Sequence, residues 1–539
     1  MIPPTVGGEP SPPSRPYDRQ TTARQLRRHT MVTTHLDSES VAVVGAGIGG
    51  LSAACHLADA GADVTVVERR DGLGGVAGRI ERDGFQFDTG PSWYLMPEVF
   101  ERFFGRFGLD PESYYSLTRL DPNYRVFWKD GDSAAVPADR PGQRALFESY
   151  ESGAGDALDR YLADAAEAYE VGMEEFVYQR RPRLRDWIDP GLLRAARGVT
   201  LLGSMDDHVG TYFGHQKLRQ LVEYTLVFLG GSPYNTPALY SLMSHVDFDL
   251  GVYYPQGGMA SVVDGIARLA RDLGVTFETD TLVTRIERAT DGVAVTAEGE
   301  RRTFDRVVSD APPAHVDREL LPAGTADHDP GYWDDRTYAP AAFLLYLGVE
   351  GDLDTLEHHT LVLPTDWRTH FEAIFDDPAW PDDPSYYVNV PSRTDDTVAP
   401  DGHSTVVVLV PVAPGLDDGP ERRARYRETI LDDLSAHTGV DLRDRIVVEE
   451  SACLSEFTEM GYPRGTALGL AHTLTQTGPF RPNRRSEAVP GLYYTGSFTD
   501  PGIGVPMCLV GGEQTAAAVR EDATEGAGSR SLVKRFRAD

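Results

Sequence analysis

The stretch from Val41 to Glu68 restricts this chain more than any other part of it. VAVVGAGIGG (41–50) reads as a buried strand, a tight glycine turn and the start of a helix. VTVVE (64–68) is the next buried strand, so the two ends enclose one β-α-β unit. Gly45-x-Gly47-x-x-Gly50 falls between strand and helix. Gly45 allows the tight turn, Gly47 lets the backbone approach a pyrophosphate, and Gly50 lets helix and strand pack closely. The helix N-terminus then offers free N–H groups and a partial positive charge to phosphates. Glu68 lies 18 residues after Gly50, at the end of the second strand, where a carboxylate can accept both ribose hydroxyls. An acid there suits a 2′-hydroxyl and repels a 2′-phosphate, so FAD or NAD is favoured over NADP.

Two further segments favour FAD. Gly72-Leu73-Gly74-Gly75 follows Glu68-Arg69-Arg70 directly, and Phe85-x-Phe87-Asp88-x-Gly90-Pro91 comes soon after. A second glycine-rich approach suits a cofactor that continues past the first phosphate loop into a ribityl chain and ring. At the other end, a strand (492–495) enters a turn holding Gly496, Gly502 and Gly504, and a helix begins near Val505. A helix N-terminus there can stabilise the negative charge that reduction places on a flavin.

Composition sets limits on partners and compartment. The 539 residues carry a formal charge of −32 with only three lysines, Lys129, Lys217 and Lys534. Such acid-rich, lysine-poor surfaces resemble those of salt-loving archaea; at about 1 M salt a Debye length of about 3 Å screens the self-repulsion. Nucleic acid is not an expected partner, because it demands basic stripes. The apolar runs, such as 341–349 and 405–413, fall short of the roughly 18 residues of a membrane span. Cys55, Cys453 and Cys508 are scattered and fit a reducing, cytoplasmic compartment. Cys55 reads as a small core residue of the first helix, whereas Cys508 sits beside Met507 at the flavin end.

The chain divides as follows. Residues 1–40 are proline- and arginine-rich and expected to be disordered, with Met31 a candidate alternative start. Residues 41–110, 253–315 and 490–520 are read as three parts of an FAD-binding domain. Residues 111–252, mainly a helical cap, and 316–489 make the substrate domain, and 521–539 form a loose tail. The fold class is α/β: a Rossmann-like FAD-binding domain and an α+β substrate domain.

GAGIGGLSAACHLADAGADVTVVERRDGLGGVAGR (45–79), DGFQFDTGPSW (83–93), YYPQGGM (253–259), VVSDAPP (307–313) and GSFTDPGIGVPM (496–507) closely resemble the carotenoid desaturases of the phytoene-desaturase type, within the FAD-dependent amine-oxidase superfamily. The resemblance implies removal of hydrogen from a forty-carbon polyene with FAD as acceptor. It places Gly45, Gly47, Gly50, Glu68, Gly74 and Gly75 at the adenosine and phosphates, Val283 at the adenine, and Asp500 with Val505 to Met507 near the ribityl chain and ring. Most members read Gly-Gly-Arg where this chain has Gly74-Gly75-Val76, and Arg79 is the candidate substitute for that arginine.

Desaturation needs an apolar tunnel, exclusion of water and a weak base. Tyr224, Phe228, Tyr240 and Phe248 are candidate tunnel walls, and Asp500 and Glu513 candidate bases from their proximity to the flavin loop. His358, His359 and His370 read as solvated surface, and no metal is expected. The resemblance further implies a substrate drawn from a bilayer, hence peripheral membrane association through an apolar patch at the tunnel mouth, and quinone or oxygen as the final acceptor. The leading reading is a phytoene desaturase working toward lycopene. A carotenoid 3,4-desaturase or isomerase in fifty-carbon pigment synthesis is the alternative. A non-catalytic prenyl-chain carrier and an amine-oxidising relative are more remote.

Overall fold

The computed structural model describes residues 36–37, 39–181, 203–473 and 475–536, without the side chains of Phe228 and of 526–536. Of residues 1–40, expected to be disordered, 1–35 and 38 lie outside that description, as does Phe228 as a wall residue. Leu36 is buried with its N–H on the Ala60 carbonyl and Ser40 opens the first strand, so the last residues of that segment are ordered.

The first sheet has five parallel strands: Ser40–Val44 (β1), Asp63–Val67 (β2), Thr276–Glu278 (β3), Arg306–Ser309 (β4) and Leu492–Tyr494 (β5). Their order is β5–β4–β1–β2–β3, and each neighbouring pair runs parallel. β-Branched residues dominate β1 and β2 because helices cover one face and a three-stranded sheet (283–304) the other. Helix α1 (Ile48–Asp59) follows β1, and the C-terminal helix α2 (Val505–Phe536) lies across it. The crossing is close because both sides are small: a Cβ on Gly512 would stand 2.6 Å from the Gly49 carbonyl oxygen. Ser52 Oγ donates to the Leu509 carbonyl at 2.7 Å in the same contact.

The second sheet has seven strands, ordered Ile446–Ala452, Ala341–Glu350, His403–Val412, Tyr386–Asn389, His359–Leu363, Tyr124–Trp128 and Ser133–Val136. All its pairs are antiparallel except Tyr124–Trp128 beside His359–Leu363. Helices between Arg140 and Glu223 cap one end of it through an aromatic core that includes Trp128, Phe147, Tyr161 and Phe213. Among the described residues, no helix is long and apolar enough to cross a membrane.

Two expectations are corrected here. The tail is helical directly after Arg520, since α2 runs on to Phe536, and residues 537–539 lie outside the description. Arg180 and Arg485 pair with Glu521, and Arg485 and the Tyr493 hydroxyl with Asp522, so this polar turn has partners on the body of the protein. The three histidines are not solvated: His358, His359 and His370 are 5%, 0% and 2% exposed. His359–Leu363 is an interior strand, so His359 is enclosed, stacked on Trp93 at 4.0 Å and 7° and hydrogen-bonded through Nδ1 to the Tyr387 hydroxyl at 2.6 Å. Burial pushes His370 down to about 3 and His359 well below the usual imidazole range.

Candidate functional site

Ligands of open parallel sheets gather beyond the carboxyl ends of the strands. Here the loops after β1, β2, β4 and β5 meet at one cavity of about 800 Å³ that continues between the cap and the inner face of the second sheet. Its walls include Gly45, Gly47, Glu68, Gly74, Gly75, Val283, Asp500, Val505 and Met507, which the structure therefore brings together.

The first loop is built largely by backbone. Gly45 has φ +98°, open in practice to glycine, and its N–H donates to the Val67 carbonyl at 2.9 Å. Ala46 N–H donates to Glu68 Oε2 at 2.8 Å and Arg70 N–H to Oε1 at 2.9 Å, which fixes the carboxylate at the cavity wall. Gly74 N–H donates to the Ala46 carbonyl at 2.8 Å, so the second glycine segment is laced to the first. A Cβ on Gly75 would come 3.4 Å from the Gly47 Cα. The cradle thus fits FAD: bare backbone from two glycine segments, an acid for the ribose, and helix N-termini from α1 and α2.

Gly47 and Gly50 serve a more particular purpose than the sequence suggests. A Cβ on Gly47 would lie 2.3 Å from Asp310 Oδ2, and one on Gly49 2.7 Å from Oδ1. One on Gly496 would lie 2.9 Å from Oδ1, and one on Gly50 2.4 Å from the Gly45 carbonyl oxygen. Asp310 follows β4, and its N–H donates to the Val44 carbonyl at 2.8 Å, which drops its side chain among these glycines. Burial pushes the Asp310 carboxyl up to about 7, with Glu68 acting in the same direction and the amides of Gly50 and Gly47 opposing. Asp310 belongs to a motif visible in the sequence, but only the tertiary structure shows its place.

A buried arginine, Arg481, and a half-buried one, Arg484, hold the terminal loop. Arg481 donates to the Ser497 and Leu470 carbonyls at 2.9 and 3.0 Å. Arg484 donates to the Gly511 carbonyl at 2.9 Å, to Gln514 Oε1 at 2.7 Å and to the Asp500 carbonyl. Burial brings Arg484 down to about 10, which leaves it charged at neutrality. His472 Nε2 accepts from the Ile503 N–H at 3.2 Å, so its Nδ1 carries the proton and donates to the Tyr240 hydroxyl at 2.7 Å. No spacing in the sequence marks these three residues.

Other candidates fall elsewhere. Glu513 faces away from the cavity and pairs with Arg102 and Arg106 on the outer side of α2, so it is no base for the reaction. Arg79 is partly exposed and bridged to Glu81 and Asp264, each at 3.0 Å, and does not replace the missing arginine at the loop. Tyr224 and Tyr240 line the cavity, whereas Phe248 is 2% exposed within the cap core. Cys508 lines the cavity and Cys55 is buried under α1. Among the described residues, no group of three or more His, Cys, Asp or Glu could hold a metal ion.

Fold and cradle together define an FAD-dependent oxidoreductase with an apolar substrate space. The profile of the flavin containing amine oxidoreductases matches residues 48–520, and that of the pyridine nucleotide-disulphide oxidoreductases matches 5–82. The chain is 60% identical over 490 residues to a carotenoid 3,4-desaturase of Haloarcula japonica, covering 90% of this chain and 99% of that one. It is 34% identical to a zeta-carotene-forming phytoene desaturase of Myxococcus xanthus, covering 87% and 92%. To a 4,4'-diapophytoene desaturase of Staphylococcus aureus it is 30% identical, covering 90% and 99%. Among solved structures, putrescine oxidase bound to putrescine aligns with a TM-score of 0.58 at 17% identity, covering 89% and 98%. An oxidoreductase from Methanosarcina mazei also aligns with 0.58 at 17% identity, covering 88% and 99%; at that identity both likenesses show the fold.

The chain belongs to the flavin containing amine oxidoreductase family, and within it to the carotenoid desaturases. It is an FAD-dependent enzyme acting on CH–CH groups of a carotenoid.

Proposed function

We propose that this enzyme is a carotenoid 3,4-desaturase rather than a phytoene desaturase. The observation that carries the reading is the 60% identity, spread over 99% of the Haloarcula japonica relative, against 34% to the phytoene desaturase of Myxococcus xanthus. When bound, FAD supplies the acceptor for a hydride from one carbon. Glu68, the paired glycine segments and the Arg484-braced terminal loop hold that cofactor. The apolar walls, among them Leu344, Leu361 and Leu409, exclude water and align the polyene.

A proton must also leave the neighbouring carbon as the new double bond forms. Among the described residues three carboxylates line the cavity, Glu68, Asp310 and Asp500, and the first two are held at the glycine loop. His472 has both ring nitrogens engaged, and His315 lies at the Glu68 end near Arg69. Asp500 is therefore the proposed proton acceptor. Burial raises its carboxyl above the usual carboxylate range, while Arg484, Arg481 and Arg181 oppose the rise, and a raised carboxyl is a better proton acceptor than an ordinary one. The substrate enters from a membrane surface to which the enzyme binds peripherally, and the electrons pass on to quinone or oxygen.

The test is expression in two salt-tolerant hosts, one accumulating phytoene and one accumulating an acyclic, already conjugated carotenoid with saturated 3,4 bonds. The expected result is unchanged phytoene in the first and a product two hydrogens lighter, absorbing at longer wavelength, in the second. Conversion of phytoene to lycopene-like pigment, with the second substrate untouched, would reverse the assignment.

A further inference from the structure

We propose that Asp310 couples cofactor binding to a proton: FAD binds with Asp310 in its neutral form, so that each FAD bound above neutral pH brings one proton with it. This rests on the FAD site and is independent of which carotenoid is desaturated.

The geometry comes first. A single carboxyl group crowds the space beside Gly47, Gly49 and Gly496: its oxygens lie 2.3, 2.7 and 2.9 Å from where Cβ atoms on those residues would be. That group sits at the amino end of α1, the same terminus whose N–H groups receive the FAD pyrophosphate. Two anions would thus share one helix terminus, with a third carboxylate, Glu68, on the same wall. The titratable groups that act on or feel Asp310 are Glu68 after β2, Cys508 on α2 and Tyr462, and the cations Arg69 and Arg70 line the same cavity on the Tyr462 side. Burial raises Cys508 to about 12 and takes Tyr462 far above neutrality, so both are uncharged there and neither offsets a negative charge.

A dianionic pyrophosphate disfavours a second charge beside it. The protonated form would still accept from the loop amides of Gly50 and Gly47, and it would add one O–H donor where the ionised form has only acceptors. Asp310 is half-buried in the cavity wall, so molar salt screens this repulsion less than it screens the acidic surface. Well below pH 7 the carboxyl is neutral and affinity is flat. As pH rises through about 7 the free protein loses the proton that the complex retains. The FAD dissociation constant then rises about tenfold per pH unit until the higher value of the complex is reached. The phosphodiesters of FAD do not titrate near neutrality, so the slope belongs to the protein.

The full-length chain, stripped of flavin and kept in molar KCl, is titrated with FAD by calorimetry in two buffers of different ionisation enthalpy. At about pH 8 the wild type should take up close to one proton per FAD, and Asp310→Asn close to none. The variant's dissociation constant should stay level from about pH 6.5 to 8.5. No uptake by the wild type, or equal uptake by D310N, would overturn the proposal. Should the variant not survive removal of flavin, difference infrared spectra of the wild type decide it. A protonated-carboxyl band gained on FAD binding supports the coupling, and its absence refutes it.

Discussion

Replacing Gly47 by alanine tests the reading of the glycine cradle most directly. Gly47 has φ −73° and ψ 177°, an extended conformation that any residue adopts, so backbone strain contributes nothing. The whole cost arises from one contact, the new Cβ at 2.3 Å from Asp310 Oδ2, against an ordinary van der Waals contact of 3.4–4 Å. An overlap of that size in a packed site costs about 1–3 kcal/mol. The measurement is thermal unfolding of the flavin-free chain in molar KCl, where no phosphate is present to confuse the comparison. At roughly 1 °C per kcal/mol for a chain of this length, G47A should melt about 1–3 °C below the wild type. The double variant G47A/D310A removes the obstructing carboxylate and should recover most of the loss, with a coupling of about 1–3 kcal/mol. If the flavin-free G47A chain melts with the wild type, or the double variant is as damaged as the single, Asp310 does not occupy this space and the reasoning fails.

Three further outcomes are expected. Asp500→Asn should keep the flavin absorbance spectrum while pigment turnover falls about 10²-fold or more, the range for loss of a general base; unchanged turnover would remove Asp500 from the reaction. Glu513→Gln should lower stability by about 1–3 kcal/mol at pH 7, since Arg102 and Arg106 lose their charged partner, and leave turnover per bound flavin intact. Burial would raise the Glu513 carboxyl, but His56, Arg102 and Arg106 hold it below the usual carboxylate range. Its contribution is therefore present at neutrality and lost as pH falls through that lowered value, so acid unfolding should close the gap between variant and wild type. With a formal charge of −32, the melting temperature should climb steadily from dilute buffer to molar KCl; a flat response would reject the halophilic reading.

The parts of the site legible in the sequence are those in which local order fixes the role. Strand, three glycines, helix, strand and acid are contiguous, so Gly45 and Glu68 could be placed before any tertiary contact was known. Asp310 could not, because its neighbours Gly47 and Gly496 come from both ends of the chain and meet only when β4 settles between β1 and β5. The paired histidines misled for a related reason. Adjacent residues of a strand point to opposite faces, which normally leaves one exposed, but this part of the sheet is covered on both sides. Glu513 is near the flavin loop in sequence and one helical face away from it in space. Cavity walls such as Tyr224, Tyr240 and Tyr387, which a substrate would meet, lie outside the shared cofactor motifs, so those motifs do not separate the two desaturation steps.

The order of strands in the first sheet has a consequence for how this enzyme is made. β1 and β2 leave the ribosome early, but β4, which flanks β1, lies some 240 residues later, and β5 with α2 follows only near the end of synthesis. The apolar edge of β1 and the bare face of α1 must therefore stay unpartnered while the intervening chain is translated. The nascent protein has its glycine loop long before it has Asp310, and Asp310 long before the terminal loop that closes the cradle. Flavin capture is consequently a late event, and a ribosome that stalls before residue 490 releases an apoprotein with an open sheet edge, a substrate for chaperones and proteases rather than a partly active enzyme.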